Sequence, residues 1–267
     1  MNFETFRKTV YDYYNTNKRS FPWRDEVTPY RVFISEVMLQ QTQAGGRTIE
    51  KFNAFIERFP DFNTLAAAPL SDILKLWQGL GYNRRALMLK RAAEIIVREY
   101  DGKLPSTVEE LDALPGIGHA TACSISAFAF NKPVIFIETN IRSVFIHHFF
   151  PGRGGVSDKE LLPIVASTLD TENAREWYSA LMDYGSTLKK KVGNESRRSK
   201  HYAKQSTFEG SDRQIRGELL RLVSAQGTVA CEGLHLCNAD AVRMHTVIEG
   251  LIKEGLIVRE RGSIRIT

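Results

Sequence analysis

Cysteine, long apolar stretches and signals for β-strands are all scarce in this chain of 267 residues. The three cysteines, Cys123, Cys231 and Cys237, are too few for a disulfide framework and form no Cys-x-x-Cys pair, so we interpret them as reduced thiols. No apolar run reaches the roughly 18 residues of a membrane-spanning helix, and residues 1–7 lack the apolar region of a signal peptide. We therefore expect a soluble cytoplasmic protein that does not contact membranes.

The composition is otherwise that of an ordinary globular protein. Hydrophobic residues make up 43% of the chain, charged residues 25% and aromatic residues 10%, which argues against extensive disorder. At roughly 150 residues per domain, the length predicts one or two domains.

The excess of positive charge is confined to one short segment. The net charge is +5, yet residues 1–188 hold 21 basic and 22 acidic side chains, and residues 211–267 hold eight and seven. Residues 189–210, which we term the basic connector, hold seven and two and show no apolar periodicity. Such a segment is either a solvated linker or a contact to nucleic-acid phosphates, since clustered cations release the counterions of DNA.

Helical periodicity dominates the first 188 residues. Apolar residues recur every three or four positions, with breaks at proline and glycine, which predicts an all-α body. The predicted helices cover residues 3–14, 30–43, 48–59, 70–77, 84–100, 108–114, 119–130, 138–149, 158–169 and 173–184.

The pattern changes from residue 211 onwards. Helices over residues 213–224, near Cys231 and over residues 239–254 precede the segment LIVRERGSIRIT, in which two short apolar strands flank a turn at Gly262. This order resembles a winged helix. The chain thus divides into a helical domain (1–188), the basic connector (189–210) and a small winged-helix-like domain (211–267).

The stretch LDALPGIGHATACSISAF predicts two helices joined by a very tight hairpin. Gly116 and Gly118 leave its backbone N–H groups, together with those of the next helical turn, unobstructed by side chains. Such a hairpin is suited to binding a DNA phosphate, as in helix-hairpin-helix motifs. A Pro-Gly-x-Gly turn is also a common structural connection, so the pattern leaves both roles open.

Two acidic residues stand in distinctive positions. Glu36 and Gln40 lie four residues apart on one face of a predicted helix, with Gln41 beside them, which suits a polar cleft or a solvated surface. Glu138 follows an apolar run at the predicted start of a helix, where a carboxylate stabilises the helix dipole. From the residues alone, a structural role for each remains open.

The motifs SEVMLQQTQ, LWQGLGYNRRA, LPGIGHATA, IETNIRSV and LMDYG follow one another in an order that resembles the helix-hairpin-helix DNA glycosylases of the endonuclease III superfamily. The resemblance covers about residues 5–205, and SEVMLQQTQ and GLGY are most similar to its A/G-specific adenine glycosylases. It implies a mainly α fold in two helical lobes. It also implies a nucleoid-associated enzyme that acts, as a monomer, on double-stranded DNA containing a mismatched or damaged base.

Catalytic roles follow from the same resemblance. Glu36 matches the acid that protonates the flipped purine, and Glu138 matches the catalytic aspartate that stabilises the sugar cation or adds to it. Asn140 matches the residue that holds this second carboxylate. Breaking a base–sugar bond needs one carboxyl kept protonated and one kept ionised. Ala120 stands where bifunctional members carry a Schiff-base lysine, which implies hydrolysis without strand cleavage.

The resemblance further implies a set of DNA contacts. Residues that wedge into the duplex when the base is extruded match Gln40, Gln41 and Tyr82, and the rim of the base pocket matches Trp23 and Arg24. The hairpin contributes Gly116, Gly118 and His119, and the basic connector contributes Lys189, Arg197 and Arg198.

The chain departs from the family pattern at several positions. Glu138 is one methylene longer than the family's aspartate, and Ser179 replaces a Glu or Gln that some adenine glycosylases place near the base. The four cysteines of the family's iron-sulfur cluster correspond to Lys189, Ser196, Ser199 and Gln205, so we expect no cofactor.

Residues 211–267 are too short for the Nudix-like domain that reads 8-oxoguanine. If they bind DNA, residues 239–253 form the reading helix, and Arg259, Arg261 and Arg265 contact DNA from the wing.

Three functions therefore remain. The first is removal of adenine mispaired with guanine or 8-oxoguanine, and the second is removal of uracil or thymine opposite guanine. The third is binding of damaged or unusual DNA without catalysis. In this alternative, Glu138, which stands in place of the family's aspartate, no longer supports hydrolysis.

Overall fold

The computed structural model describes residues 1–267, and twelve α-helices occupy the first 192 of them. Their bounds are α1 Phe3–Asn17, α2 Pro22–Asp25, α3 Pro29–Leu39, α4 Gly46–Arg58, α5 Phe62–Ala67, α6 Leu70–Trp77, α7 Arg84–Tyr100, α8 Val108–Asp112, α9 His119–Phe130, α10 Thr139–Phe149, α11 Asp158–Thr168 and α12 Ala174–Val192. A short 3₁₀ helix, Glu195–Arg198, follows α12. None of the helices combines the length and apolar character that crossing a membrane requires.

The prediction of a mainly α fold is confirmed, and α6, α7 and α9 begin and end at the predicted residues. Two short helices, α2 and α5, were not predicted because their apolar residues are too few to show a period. Asp61 begins α5 by accepting a hydrogen bond from the Thr64 N–H at 2.7 Å. Helix α12 runs eight residues beyond its predicted end at residue 184, so the basic connector starts inside a helix. Three lysines lie in its last turn, where their positive charges stabilise the negative end of the helix dipole.

The chain forms two compact units. The first comprises Met1–Glu36, Ser106–Ala113 and Ile117–Lys204. Its core is aromatic: the ring centroids of Phe6 and Phe145 lie 5.0 Å apart, and Phe6 meets Trp177 edge-on at 6.0 Å. Burying such large side chains is the main favourable contribution to the stability of this unit.

The second unit comprises Val37–Pro105, Leu114–Gly116 and Gln205–Thr267. Its helical part packs α4 to α7 around Trp77, which meets Phe55 edge-on at 6.2 Å. Its C-terminal part contains α13 Asp212–Gln226, β1 Thr228–Ala230, α14 Ala241–Glu254, β2 Ile257–Glu260 and β3 Ser263–Ile266, with α13 packed against α6.

The three strands form an antiparallel sheet in the order β1, β3, β2. Strands β2 and β3 are the hairpin expected around Gly262. The short helix expected near Cys231 is wrong: strand β1 ends there, and the Cys231 N–H donates to the Gly262 carbonyl at 2.9 Å. A β-branched residue, Val229, is buried between exposed neighbours, a pattern that favours a strand. The winged-helix assignment and the three-part domain division stay predictions.

Candidate active site

Glu36 lies near the end of α3, on the side opposite a fully apolar face. Ile34 and Met38 are completely buried, which fixes the rotation of the helix, while Glu36 is only partly buried. The Ser124 hydroxyl on α9 donates a hydrogen bond to the Glu36 carboxyl. The helix therefore holds one acidic group at a defined place inside the first unit.

The surroundings of Glu36 favour its protonated form. The pKa of Glu36 rises from 4.5 to about 7: burial and, to a smaller extent, the charge of Glu138 raise it, whereas Ser124 and Arg24 lower it. A carboxyl with a pKa near neutrality can serve as a general acid at physiological pH.

Glu138 is the residue that begins α10. Its Oε1 accepts hydrogen bonds from the N–H groups of Asn140 and Ile141, at 2.6 and 2.9 Å, and its Oε2 accepts one from the Asn140 side chain at 3.3 Å. Burial raises the pKa of Glu138, while these donors and the charge of Arg142 oppose that shift. Three hydrogen bonds solvate the ionised form, so Glu138 is the better place for a negative charge.

Close packing of α10 on α12 fixes the position of Asn140. A Cβ at Gly185 would lie 2.5 Å from the Asn140 carbonyl oxygen and 2.8 Å from its Cβ, so only glycine permits this approach. The Asn140 amide also contacts Met182 Sδ at 3.8 Å. The LMDYG motif thereby supports the side chain that holds Glu138.

Asp183, in the same motif, organises the FPWR segment. It is fully buried and accepts hydrogen bonds from the Arg19 N–H and Nε at 2.9 and 2.7 Å and from Arg24 Nη1 at 2.9 Å. Both guanidinium groups lie over the Phe21 ring, and Trp23 is buried and stacks on Phe21 with centroids 5.1 Å apart. Arg24 is thus held in a fixed orientation, from which its charge lowers the pKa of Glu36.

The predicted hairpin separates α8 from α9. Gly116 adopts a positive φ of 78°, and a Cβ there would lie 2.6 Å from Met88 Cβ. Gly118 is extended and begins α9, so the N–H groups of the first turn point out of the helix end. Both glycines are exposed, and the His119 side chain is 73% exposed. The hairpin can therefore receive an anion such as a DNA phosphate.

The predicted wedge residues lie in the second unit. Gln41 and Tyr82 both have positive φ values, 55° and 48°, which non-glycine residues adopt at an energetic cost and which concentrate at functional sites. Gln40 Nε2 donates to the Gly116 carbonyl at 3.2 Å. Arg85, which the sequence analysis did not single out, secures both loops. It donates to the main-chain carbonyls of residues 37, 38, 40, 80 and 81.

The side chains of the basic connector fall into two groups. Lys189 and Arg197 are exposed and pair with no carboxylate. Arg198 instead pairs with Glu195 and donates to the carbonyls of Phe150 and Arg153, so it holds the connector in place. Its direct contact with DNA stays a prediction.

The four positions that correspond to cluster cysteines do not fit an iron-sulfur cluster. Lys189 and Gln205 supply no thiolate, and the Ser196 and Ser199 hydroxyls are buried in local hydrogen bonds. Arg198 lies in the same loop and links it to residues 150–156, by donating to the Phe150 and Arg153 carbonyls and accepting from the Val156 N–H.

Two of the three arginines predicted to contact DNA from the wing form ion pairs within the protein. Arg259 pairs with Glu249 at 2.8 Å and Arg265 with Glu260 at 2.7 Å. Arg261 is exposed at the turn between β2 and β3. Neutralised cations contribute less to phosphate binding.

Three residues of the site escaped the sequence analysis: Ser124, Asp183 and Arg85. Asp183 and Arg85 lie inside the motifs LMDYG and LWQGLGYNRRA, and Ser124 lies two residues after LPGIGHATA, but their partners are 45 to 164 residues away in the chain. The available signal for Asp183 was an acidic residue within the largely apolar stretch WYSALMDYG, since a charged residue that becomes buried needs a partner.

Known proteins are similar to this chain, in sequence or in fold, over most of its length. Residues 34–161, which contain Glu36, the hairpin and Glu138, match the family described as "HhH-GPD superfamily base excision DNA repair protein". The adenine DNA glycosylase of Mycolicibacterium smegmatis is 30% identical over 270 residues, covering 92% of this chain and 90% of that protein. The adenine DNA glycosylase of Buchnera aphidicola subsp. Baizongia pistaciae is 34% identical over 185 residues, covering 68% of this chain and 52% of that protein. The solved structure of a thermostable thymine-DNA glycosylase superposes with a TM-score of 0.61 at 27% identity, covering 69% of this chain and 86% of that one.

Glu36→Gln is expected to stabilise the protein at alkaline pH and to have little effect at acidic pH. The pKa of Glu36 rises on folding from 4.5 to about 7, so the wild-type protein loses stability as the pH rises through this interval. The gain from the substitution should be absent below pH 4.5 and reach about 3 kcal/mol above pH 7. Urea unfolding of both proteins across this pH range measures the difference.

Glu160→Gln provides a control of opposite sign. The N–H and hydroxyl of Ser157, together with Arg153, lower the pKa of Glu160 to about 2. This substitution should destabilise the protein at neutral pH, and its effect should disappear as the pH falls from 4.5 towards 2. An effect of Glu36→Gln that is equal at every pH would show that Glu36 is not desolvated.

Proposed function

Because the chain belongs to the HhH-GPD superfamily of base excision DNA repair proteins, we propose that it is a monofunctional DNA glycosylase that removes adenine mispaired with guanine or 8-oxoguanine. The observation that supports this proposal is the pair Glu36 and Glu138: burial raises the pKa of both carboxyls, but three hydrogen bonds oppose that shift at Glu138 and one at Glu36. One carboxyl is desolvated with a pKa near 7, and the other is hydrogen-bonded at a helix N-terminus.

In the proposed reaction, the protonated Glu36 donates its proton to a ring nitrogen of the extruded adenine, which makes the base a neutral leaving group. As the base–sugar bond breaks, positive charge develops on the sugar, and the ionised Glu138 stabilises it. Water then adds to the sugar and gives its proton to the Glu36 carboxylate, leaving free adenine and an abasic site. The Glu138 side chain folds back to accept hydrogen bonds from the first N–H groups of α10, and in this proposal the fold-back offsets the length of its extra methylene.

The DNA is held by three features of the chain. The hairpin around Gly116 and Gly118 presents backbone N–H groups to a phosphate, and the exposed cations of the basic connector add charge. Gln40, Gln41 and Tyr82 fill the space left in the duplex when adenine is extruded.

Ala120 offers no amine for a Schiff base, which supports hydrolysis alone. We further propose that the enzyme works without an iron-sulfur cluster, on double-stranded DNA, as a monomer at the nucleoid.

A second candidate function is removal of thymine or uracil opposite guanine. The solved structure of a thymine-DNA glycosylase at 27% identity favours it. Similarity to two adenine glycosylases, one of them over 92% of this chain, makes adenine the better-supported target.

Single-turnover assays on four duplexes test the proposal directly. They carry adenine opposite 8-oxoguanine, adenine opposite guanine, thymine opposite guanine and uracil opposite guanine. We expect strand breaks only after alkali and only in the two adenine duplexes. Glu36→Gln should reduce the rate by about 100-fold or more, because general acid catalysis contributes roughly 100- to 10,000-fold.

Release of thymine or uracil instead would support the second candidate. Tight binding without release of any base would support a non-catalytic DNA-binding protein. Strand breaks without alkali would contradict the monofunctional assignment.

Ser124→Ala is expected to move the pH profile of base release towards higher pH. The rate requires protonated Glu36, so it should fall as the pH rises past about 7. The Ser124 hydrogen bond lowers the pKa of Glu36, and removing it should raise that pKa and shift the alkaline limb upwards. The measurement is the single-turnover rate as a function of pH.

Ser126→Ala is the matched control, because Ser126 lies on the same helix with its buried hydroxyl unpartnered. An identical pH shift in both variants would contradict a specific role for Ser124.

Neutralising the free cations of the basic connector should weaken DNA binding regardless of sequence. Each phosphate contact contributes about −0.9 to the slope of log K against log salt concentration, so replacing Lys189, Lys190 and Arg197 with Gln should flatten that slope by up to about three. Titrations at several salt concentrations measure it. Lys8, Lys75 and Arg98, exposed cations that pair with carboxylates, are the control set. An unchanged slope in the connector variant would leave it as a solvated linker.

A further inference from the structure

A pocket of about 490 Å³ lies within the second unit, beside the proposed wedge residues. Its walls come from the end of α3, the turn before α7 and the first turns of α13. They include Gln40, Gln41, Tyr82, Met88, Arg213 and Arg216. The volume is in the range of pockets that bind small molecules, and a single nucleobase fits within it.

The C-terminal part of the chain reaches the wedge residue Tyr82 in this pocket. The Tyr82 hydroxyl accepts hydrogen bonds from the Gln205 side chain and from Arg213 Nη1, the latter at 3.3 Å. Arg85 lies beneath the Tyr82 ring, with its guanidinium 5.5 Å from the ring centroid. A residue proposed to enter the duplex is therefore fixed from two sides.

The two arginines of this pocket differ in whether a carboxylate balances their positive charge. Arg216 pairs with Glu254 through Nη2, whereas Arg213 pairs with no carboxylate. The Arg213 Nη2 donates only to neutral oxygens, among them the carbonyls of Ser206 and Thr207 at 2.7 and 3.2 Å. The positive charge of Arg213 therefore stays available to a ligand, and these carbonyls hold the guanidinium at the pocket wall.

Extrusion of the target base leaves its partner unpaired beside the wedge. An arginine guanidinium is the side chain best matched to guanine, because its planar donors meet O6 and N7. Guanine and 8-oxoguanine share the O6 acceptor, and an aromatic ring such as Tyr82 can stack on either base. The pocket thus combines the two kinds of contact that recognise a purine with an O6 carbonyl.

We propose that Arg213, positioned with Tyr82, contacts the base opposite the target and sets a preference for a purine that carries O6. This inference rests on the proposed glycosylase function and names a specificity determinant for it. The C-terminal part of the chain thereby takes part in reading the mismatch, through a residue on α13 and not through the predicted wing.

Arg213→Gln tests the proposal with adenine placed opposite guanine or opposite 2-aminopurine, a purine without O6. The wild-type protein should release adenine faster opposite guanine. The variant should lose roughly 5- to 150-fold of that rate, the range for one bidentate arginine–guanine contact, and change little opposite 2-aminopurine. Arg213→Lys keeps the charge without the planar fork and should lose most of the preference as well.

Arg221→Gln is the matched control, because Arg221 is exposed on the same helix and does not line the pocket. It should retain the wild-type preference. An equal loss opposite both bases would assign Arg213 to the phosphate backbone, and an unchanged preference would exclude the contact; either result overturns the proposal. If Arg213→Gln does not fold, Arg213→Lys decides between these outcomes.

Binding separates failure of this inference from failure of the proposed function. Duplexes with a stable abasic-site analogue opposite guanine or 2-aminopurine need no catalysis. If the wild-type protein releases no adenine but binds the guanine duplex more tightly through Arg213, the glycosylase proposal fails and the contact stands. If the wild-type protein discriminates between the two bases in neither assay, the contact fails.

Discussion

The site depends on two carboxyl groups, Glu36 and Glu138, whose pKa values are both raised by burial. Two ionised carboxylates in such a place repel each other and lack water, so the pair is stable only when one of them keeps its proton. Here the asymmetry is built from hydrogen bonds. Glu36 receives one from Ser124, whereas Glu138 receives two from backbone N–H groups and one from Asn140. Glu36, which has fewer donors than Glu138, is therefore the better place for a proton.

Several contacts in the first unit maintain this difference between Glu36 and Glu138. The absence of a side chain at Gly185 lets α12 approach Asn140, which in turn holds Glu138. Buried Asp183 pairs with Arg19 and Arg24 and holds Arg24 in a position from which its charge lowers the pKa of Glu36. These contacts join residues far apart in the chain, so the site exists only once the unit has folded.

The helices could be predicted from the sequence because apolar residues repeat at the helical period. The bounds of α6, α7 and α9, each ended by proline, glycine or a polar turn, show this. The family motifs also indicated Glu36 and Glu138. The partners of these residues could not be predicted, because periodicity carries no information on which buried polar groups meet: Ser124 is 88 residues from Glu36. The role of Arg198 was missed for the same reason, since a cation in a basic segment looks equally suited to solvent or to a carbonyl.

The contact between Gly116 and Met88 has a consequence for how DNA is bound. The backbone at Gly116 is packed against the side of α7 with no room for a Cβ, so this part of the hairpin is held in one position. A loop ordered in advance loses little conformational entropy on association, and more of the interaction energy remains for affinity. A protein that must inspect many undamaged base pairs gains from such rigidity, since each brief encounter with the duplex requires no rearrangement of the loop.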